Sequence, residues 1–213
     1  MYLLNGMLEH NKAFVENKTY EQFRTPKFPG KKLAIVACMD ARLIGLLPNA
    51  LGLKSGDMKM IKNAGALVVH PWGSVMRSLI VAVYALNVRE ICIIAHDDCG
   101  MSKMDPEQVL QEAQHRGIST RIISTLRAAG VDLDNWLRGF GNVDDSVRSS
   151  VELVRTHPLM PKDVPIHGLV MDPVTGEVRL LVDGYKSLTK KATKALTKEE
   201  PALQVPSKNV DAK

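Results

Sequence analysis

Aromatic residues are scarce in this chain, two Trp, four Tyr and four Phe in 213 residues, so it lacks the stacking surface expected of a nucleic-acid binder. A basic face is missing too. The formal charge is +5, but residues 186–213 hold seven Lys against Glu199, Glu200 and Asp211, which leaves a body of 21 basic and 20 acidic residues. A nearly neutral body offers no cationic track for phosphates, and nucleic acid is not an expected partner. Long apolar runs are absent as well: the longest, Leu79 to Leu86, is far short of the roughly 18 residues of a membrane span. Met1 to His10 shows no basic flank followed by a long apolar run, so no export signal is expected. Three cysteines cannot all pair with one another, and without export they are expected to stay reduced in the cytoplasm, serving a metal or chemistry.

What is present reads as one α/β domain over residues 1–185, followed by a lysine-rich tail at 186–213 expected to be solvated and mobile. Lys32 to Cys38 and Glu90 to His96 are short, almost continuous apolar runs, the pattern of strands buried on both faces of a parallel sheet. Met58 to Lys62, Val164 to Met171 and Val178 to Val182 are further strands, the last two joined by the turn composition of Asp172 to Gly176. Helical patterns lie between them at Ser74 to Leu86 with Ser74 as a cap, at Pro106 to Arg116, and at Val143 to Thr156 before Pro158. About five strands alternating with helices predict a mainly parallel sheet flanked by helices. The first 25 or so residues read as a helix with Leu3, Leu4, Met7 and Leu8 on one side, packed on the body or on a partner subunit.

Both strong strands end in a metal-ligating side chain, Cys38 and His96, and Cys99 follows three residues later. The carboxyl ends of strands are where active sites gather in open α/β sheets. Two thiolates and an imidazole suit zinc, and three protein ligands with one open position is the pattern of a catalytic rather than a structural site. Zinc with two thiolates is formally neutral and needs help to activate water near neutral pH. Asp40 and Arg42 stand two and four residues beyond Cys38. Asp40 can orient the attacking water, and Arg42 can hold the carboxylate in a bidentate fork so that it does not ligate the metal itself. Cys92 lies inside a strand and reads as core. Asp97 and Asp98 read as solvated loop acids, and His10, His70, His115, His157 and His167 stand apart without a second ligand at fixed offset.

The runs Cys38-Met39-Asp40-Ala41-Arg42, Lys62-Asn63-Ala64-Gly65 and His96-Asp97-Asp98-Cys99-Gly100-Met101 together resemble the β-class carbonic anhydrases, most of all the short bacterial and archaeal type. The resemblance is close from Lys31 to Met104 and returns at His157 to Pro165 and His167 to Gly184. It implies one zinc per subunit on Cys38, His96 and Cys99, with Asp40 and Arg42 as the gating pair. The implied reaction is reversible hydration of carbon dioxide to bicarbonate and a proton by zinc-bound hydroxide. It further implies a homodimer or higher homo-oligomer and no organic cofactor. The chain differs from many members in carrying Ala66 after Ala64-Gly65, and the pocket glutamine of the plant-like subgroup is not found. Both differences bear on the pocket, so hydrolysis of carbonyl sulfide or carbon disulfide stays open beside carbon dioxide hydration. A non-enzymatic zinc protein and a thiol redox protein are the remaining alternatives; the Asp40/Arg42 pair speaks against the first and the lack of a Cys-x-x-Cys against the second.

Overall fold

The apolar runs form the middle of a sheet because their side chains have no polar face to show to water. In the computed structural model, which describes residues 2–188, the chain runs α1 (Leu3–Glu16), β1 (Leu33–Cys38), α2 (Leu43–Ala50), β2 (Met58–Asn63), α3 (Ser74–Ala85) and β3 (Glu90–His96). It continues through α4 (Pro106–His115), α5 (Thr120–Ala128), α6 (Leu133–Leu137), α7 (Val143–Thr156), β4 (Ile166–Met171) and β5 (Val178–Val182). The strand order is β2-β1-β3-β4-β5; the first four are parallel, and β5 returns antiparallel to β4. The turn at Asp172 to Gly176 that makes this reversal has Asp172 Oδ1 accepting from the backbone N–H of Val174 and Thr175 at 2.7 and 2.9 Å. The expected tail lies almost wholly outside the described residues.

Ala34 to Ala37 on β1 and Ile91, Ile93 and Ile94 on β3 are fully buried. Each buried Val, Leu or Ile contributes roughly 1.5–3 kcal/mol, so these two central strands anchor the fold. Helix α7 supplies Val147, Val151 and Val154 to the same core. It approaches so closely that a Cβ on Gly168 of β4 would stand 2.7 Å from the Val147 side chain. Helices α4, α5 and α6 form a separate small core from Leu110, Ile123, Leu133 and Leu137. Their starts are set by side-chain caps: Asp105, Ser119 and Asp132 each accept a backbone N–H from the first turn.

Three expectations change. Ser74 is the first residue of α3 rather than its cap, which is Gly73, and its side chain caps nothing. Helix α2 was not anticipated, because Gly45 and Pro48 interrupt its apolar pattern. The N-terminal helix forms as α1 and a short 3-10 turn over Thr19–Phe23; none of its residues is buried against the body, so of the two expected packing surfaces only that of a partner subunit is left. Among the described residues no helix is long and apolar enough to cross a membrane.

Candidate metal centre

Strands β1 and β3 are adjacent and parallel, with Ala37 beside Ile94, so Cys38 and His96 emerge at the same edge of the sheet. The chain then turns through Asp98, which takes a left-handed φ of 51°, and delivers Cys99 to the same point. The Cys38 and Cys99 sulfurs lie 3.8 Å apart, and the donor atoms of Cys38, His96 and Cys99 all fall within 4.8 Å of one another, each residue buried. Tetrahedral zinc bonds of about 2.0–2.3 Å place their donors about 3.3–3.8 Å apart, so the three side chains need move little to close on an ion.

His96 is already in the tautomer a metal requires. Its Nδ1 donates to the Asp97 carbonyl at 2.7 Å, which leaves a lone pair on Nε2. That atom is buried and has no hydrogen-bond partner. An unmet buried polar atom costs about 1–3 kcal/mol, a cost a bound cation would remove. The thiols are poised unequally. Burial pushes Cys38 up, but the imidazole of His96 close by and the backbone N–H groups of Asp40 and Gly65 favour the thiolate, outweigh burial and bring the thiol down to about 7. Burial pushes Cys99 up to about 11, and the charge of Cys38 adds to that. One thiolate forms readily and resists the second until a cation compensates both. The Cys38 thiolate beside the ring in turn favours its protonated form and raises His96 against its burial.

Beside the donors, Arg42 grips Asp40 from several directions. Asp40 Oδ1 accepts the Arg42 backbone N–H at 2.8 Å and Nε at 3.1 Å, and Oδ2 accepts Nη2 at 2.8 Å. Hydrogen bonding from Arg42 holds the Asp40 carboxyl down at about 2, and the same contact raises Arg42 further above its ordinary value. Oδ2 stands 3.7 Å from His96 Nε2, next to the donor cluster yet fastened to the guanidinium. The other side of Arg42 is held by Asp98, through its carboxylate at 3.2 Å and its carbonyl at 3.1 Å. Lys62 donates to the Cys38 carbonyl at 2.9 Å. The loop after β2 is closed by Asn63, whose amide bonds both the carbonyl and the N–H of Leu67 at 2.6 and 3.0 Å. Gly65 in that loop has φ 79°, and a Cβ there would press on Phe140, Leu67 and Met101 at 3.0–3.2 Å.

All five residues singled out from the sequence therefore converge, while Cys92 stays apart, its thiol pushed up to about 12 by burial and by Glu90. Asp97 and Asp98 are solvated as expected, their side chains 49% and 80% exposed, yet each is also paired. Asp98 is the second clamp on Arg42, and Asp97 pairs with Arg179 at 3.3 Å while its carbonyl steadies His96. Local spacing held no signal for either pairing, since the partners are 56 and 82 residues away. Lys62 did have one, its place before Asn63-Ala64-Gly65. None of the other histidines joins a metal-ligating cluster among the described residues.

Comparison with known proteins bears on this geometry. The family model described as "Carbonic anhydrase" matches residues 33–178. The Bacillus subtilis protein named "Putative carbonic anhydrase YtiB" is 52% identical over 187 residues, covering 88% of this chain and all of that one. The carbon disulfide hydrolase of Acidithiobacillus thiooxidans is 30% identical over 159 residues, covering 70% of this chain and 76% of that one. Among solved structures, β-carbonic anhydrase isoform I of Trichomonas vaginalis superposes with a TM-score of 0.79 at 35% identity, covering 87% of this chain and 100% of that one. In sequence and in fold, from the donor-bearing strands to the turn before β5, this chain belongs to the β-carbonic anhydrase family.

Proposed function

We propose that this protein is a zinc-dependent carbonic anhydrase that reversibly hydrates carbon dioxide to bicarbonate and a proton. Cys38, His96 and Cys99 hold the metal in this reading, and Asp40 and Arg42 govern its remaining position. The observation that carries it is the unpartnered, buried Nε2 of His96 between two thiols, with a pinned carboxylate 3.7 Å away. The donor set, soft and three-membered, fits zinc. Bound zinc supplies the Lewis acidity that makes water a nucleophile near neutral pH. Asp40 Oδ2 accepts a hydrogen bond from the attacking water and aims it. Arg42 prevents that carboxylate from becoming a ligand, and Asp98 fixes Arg42 from behind. Lys62, anchored on the Cys38 carbonyl, places a positive charge near two thiolates and a carboxylate and so favours an anionic product at the site. Helix α1 leaves Leu3, Leu4, Met7 and Leu8 exposed, which supports a homodimer in which it packs on the second copy. We place the enzyme in the cytoplasm.

A second reading, hydrolysis of carbon disulfide or carbonyl sulfide, is favoured by the 30% identity to a carbon disulfide hydrolase. The two substrate classes are separated by measuring zinc content, then stopped-flow carbon dioxide hydration and carbon disulfide turnover on one preparation. Zinc near one per chain with fast carbon dioxide hydration is the expected result. Turnover of the sulfur substrate alone would transfer the assignment to it, and a zinc-loaded protein active on neither would make the metal structural.

A further inference from the structure

Arg179 lies on β5, far along the chain from the donor residues, yet its guanidinium reaches the loop that carries them. Nη2 donates to Asp97 Oδ1 at 3.3 Å, while Nη1 donates to Asp144 Oδ2 at 2.8 Å and Nη2 also lies 2.6 Å from Asp144 Oδ1. Asp144 stands in the first turn of α7, where Asn142 caps the backbone N–H groups of Asp144 and Asp145. That helix is seated in the core by Val147, Val151 and Val154, and Arg148 ties it again to β5 through the Leu181 carbonyl at 3.0 Å. One face of Arg179 is thus joined to a rigid body and the other to Asp97.

Asp97 is the residue whose carbonyl receives the Nδ1 proton of His96 at 2.7 Å, and its own N–H donates to the Met171 carbonyl at 3.0 Å. The next residue, Asp98, holds Arg42 and has the left-handed φ of 51°, a conformation costing a non-glycine residue roughly 1 kcal/mol or more. A peptide beside such a turn would be free to rotate if only one end were fixed. Arg42 holds the Asp98 end, and Arg179 holds the Asp97 side chain.

We propose that Arg179 is a positioning residue for the metal centre. Acting through Asp97, it holds the peptide whose carbonyl sets the ring orientation and tautomer of His96. The proposal rests on the reading of His96 as a zinc ligand. Simple stabilisation is a poor account of the contact: the Arg179, Asp97 and Asp144 side chains are 43%, 49% and 35% exposed, and exposed ion pairs contribute only about 0–1 kcal/mol. The value of the arrangement lies in direction. A planar fork held on one side by two carboxylate oxygens can place a third oxygen with little freedom.

The test uses the full-length, zinc-loaded protein with Arg179→Gln, Asp97→Ala, the double variant and Arg179→Lys. The readouts are zinc release to a chromogenic chelator, the visible absorption spectrum after exchange to Co2+, and the thermal midpoint. Loss of a group that orients a ligand costs about 10–100-fold in metal affinity, and Arg179 acts at one remove, so zinc release about tenfold faster is expected for each single variant. The Co2+ bands should change, the thermal midpoint should stay within a few degrees, and Arg179→Lys should recover part of the slow release. Because both singles remove the Arg179 to Asp97 contact, the double variant should release zinc no faster than Arg179→Gln. Unchanged release and spectra in the singles would overturn the proposal, as would release that follows the thermal midpoint and doubles its loss in the double variant. If Arg179→Gln does not fold, Asp97→Ala decides alone, since it leaves the Arg179 to Asp144 contact in place. Failure of the underlying reading looks different: the parent protein and Cys38→Ser would then bind zinc equally.

Discussion

The two ends of strand β3 carry nearly the same chemical groups and do opposite things with them. At the carboxyl end, His96 meets Cys38, Cys99 and Asp40; at the amino end and across to β4, Cys92 stands in register with His167, near Glu90 and Tyr185. The second set gathers no cluster of three metal-ligating atoms, although its imidazole nitrogen, His167 Nε2, is buried without a hydrogen-bond partner just as His96 Nε2 is. His167 Nδ1 accepts the Gly184 N–H at 3.1 Å, its Nε2 lies 3.1 Å from Glu90 Oε1, and the Tyr185 hydroxyl donates to the same oxygen at 2.9 Å. The Cys92 thiol, pushed up to about 12, stays protonated at neutral pH. The first set brings three donor atoms within 4.8 Å of one another and a thiol down to about 7. Convergence of three donors with a depressed thiol, rather than residue composition, is what separates a candidate metal centre from a core cluster.

The largest effects should come from removing what converges. Cys38→Ser, Cys99→Ser and His96→Ala are each expected to reduce bound zinc from about one per chain to about a tenth or less after dialysis, and to abolish turnover. Metal analysis of the purified variants reads this directly. Loss of zinc in Cys92→Ser with retention in Cys99→Ser would reverse the two ends and remove the basis of the comparison.

Next in size is the control of the pinned carboxylate. Arg42→Ala should keep its zinc and lose activity by about 100-fold, the lower range for removing a group that orients proton transfer, because freed Asp40 can then occupy the open position. Asp98→Asn retains the carbonyl contact to Arg42 and should lose less, about 10-fold or under. In Arg42→Ala/Asp40→Ala the blocking carboxylate is gone, so initial rates should recover in part over Arg42→Ala alone. Full activity in Arg42→Ala would show that Asp40 needs no restraint.

How far these contrasts were readable in the sequence follows from the range of the forces involved. The runs that became β1 and β3 were plain because burial on both faces excludes polar residues, and Val143 to Thr156 was plain because its apolar spacing ends at a proline. Cys38, His96 and Cys99 were legible because strand ends fix where the ligands emerge. Asp98 and Arg179 were not, since their partners are brought near only by the crossovers of the sheet. Helix α2 was hidden by Gly45 and Pro48, where tertiary burial of Leu43 and Leu47 overrides weak local preference. The helical pattern of α1 was readable, but its lack of any burial was not, because periodicity records an apolar face and not what covers it.

The smallest expected effect sharpens the comparison from its quiet end. If Cys92 is only a small hydrophobe, Cys92→Ala should leave zinc content and turnover unchanged and remove little more than a buried sulfur. Deleting an atom of that size from a partly buried site costs about 1 kcal/mol, which lowers the thermal midpoint by about 2–4 °C in a domain of this length. The neighbouring groups argue for no larger loss, because the Gly184 to His167 and Tyr185 to Glu90 hydrogen bonds form without the thiol. Alkylation gives an independent reading. In metal-free protein at neutral pH a small electrophile should modify Cys38, whose thiol lies at about 7, well before Cys92 at about 12, since only the thiolate reacts. Added zinc should protect Cys38 and leave Cys92 as it was. Equal labelling of the two, or a drop in turnover with Cys92→Ala, would mean that the amino end of β3 communicates with the metal end through the strand they share.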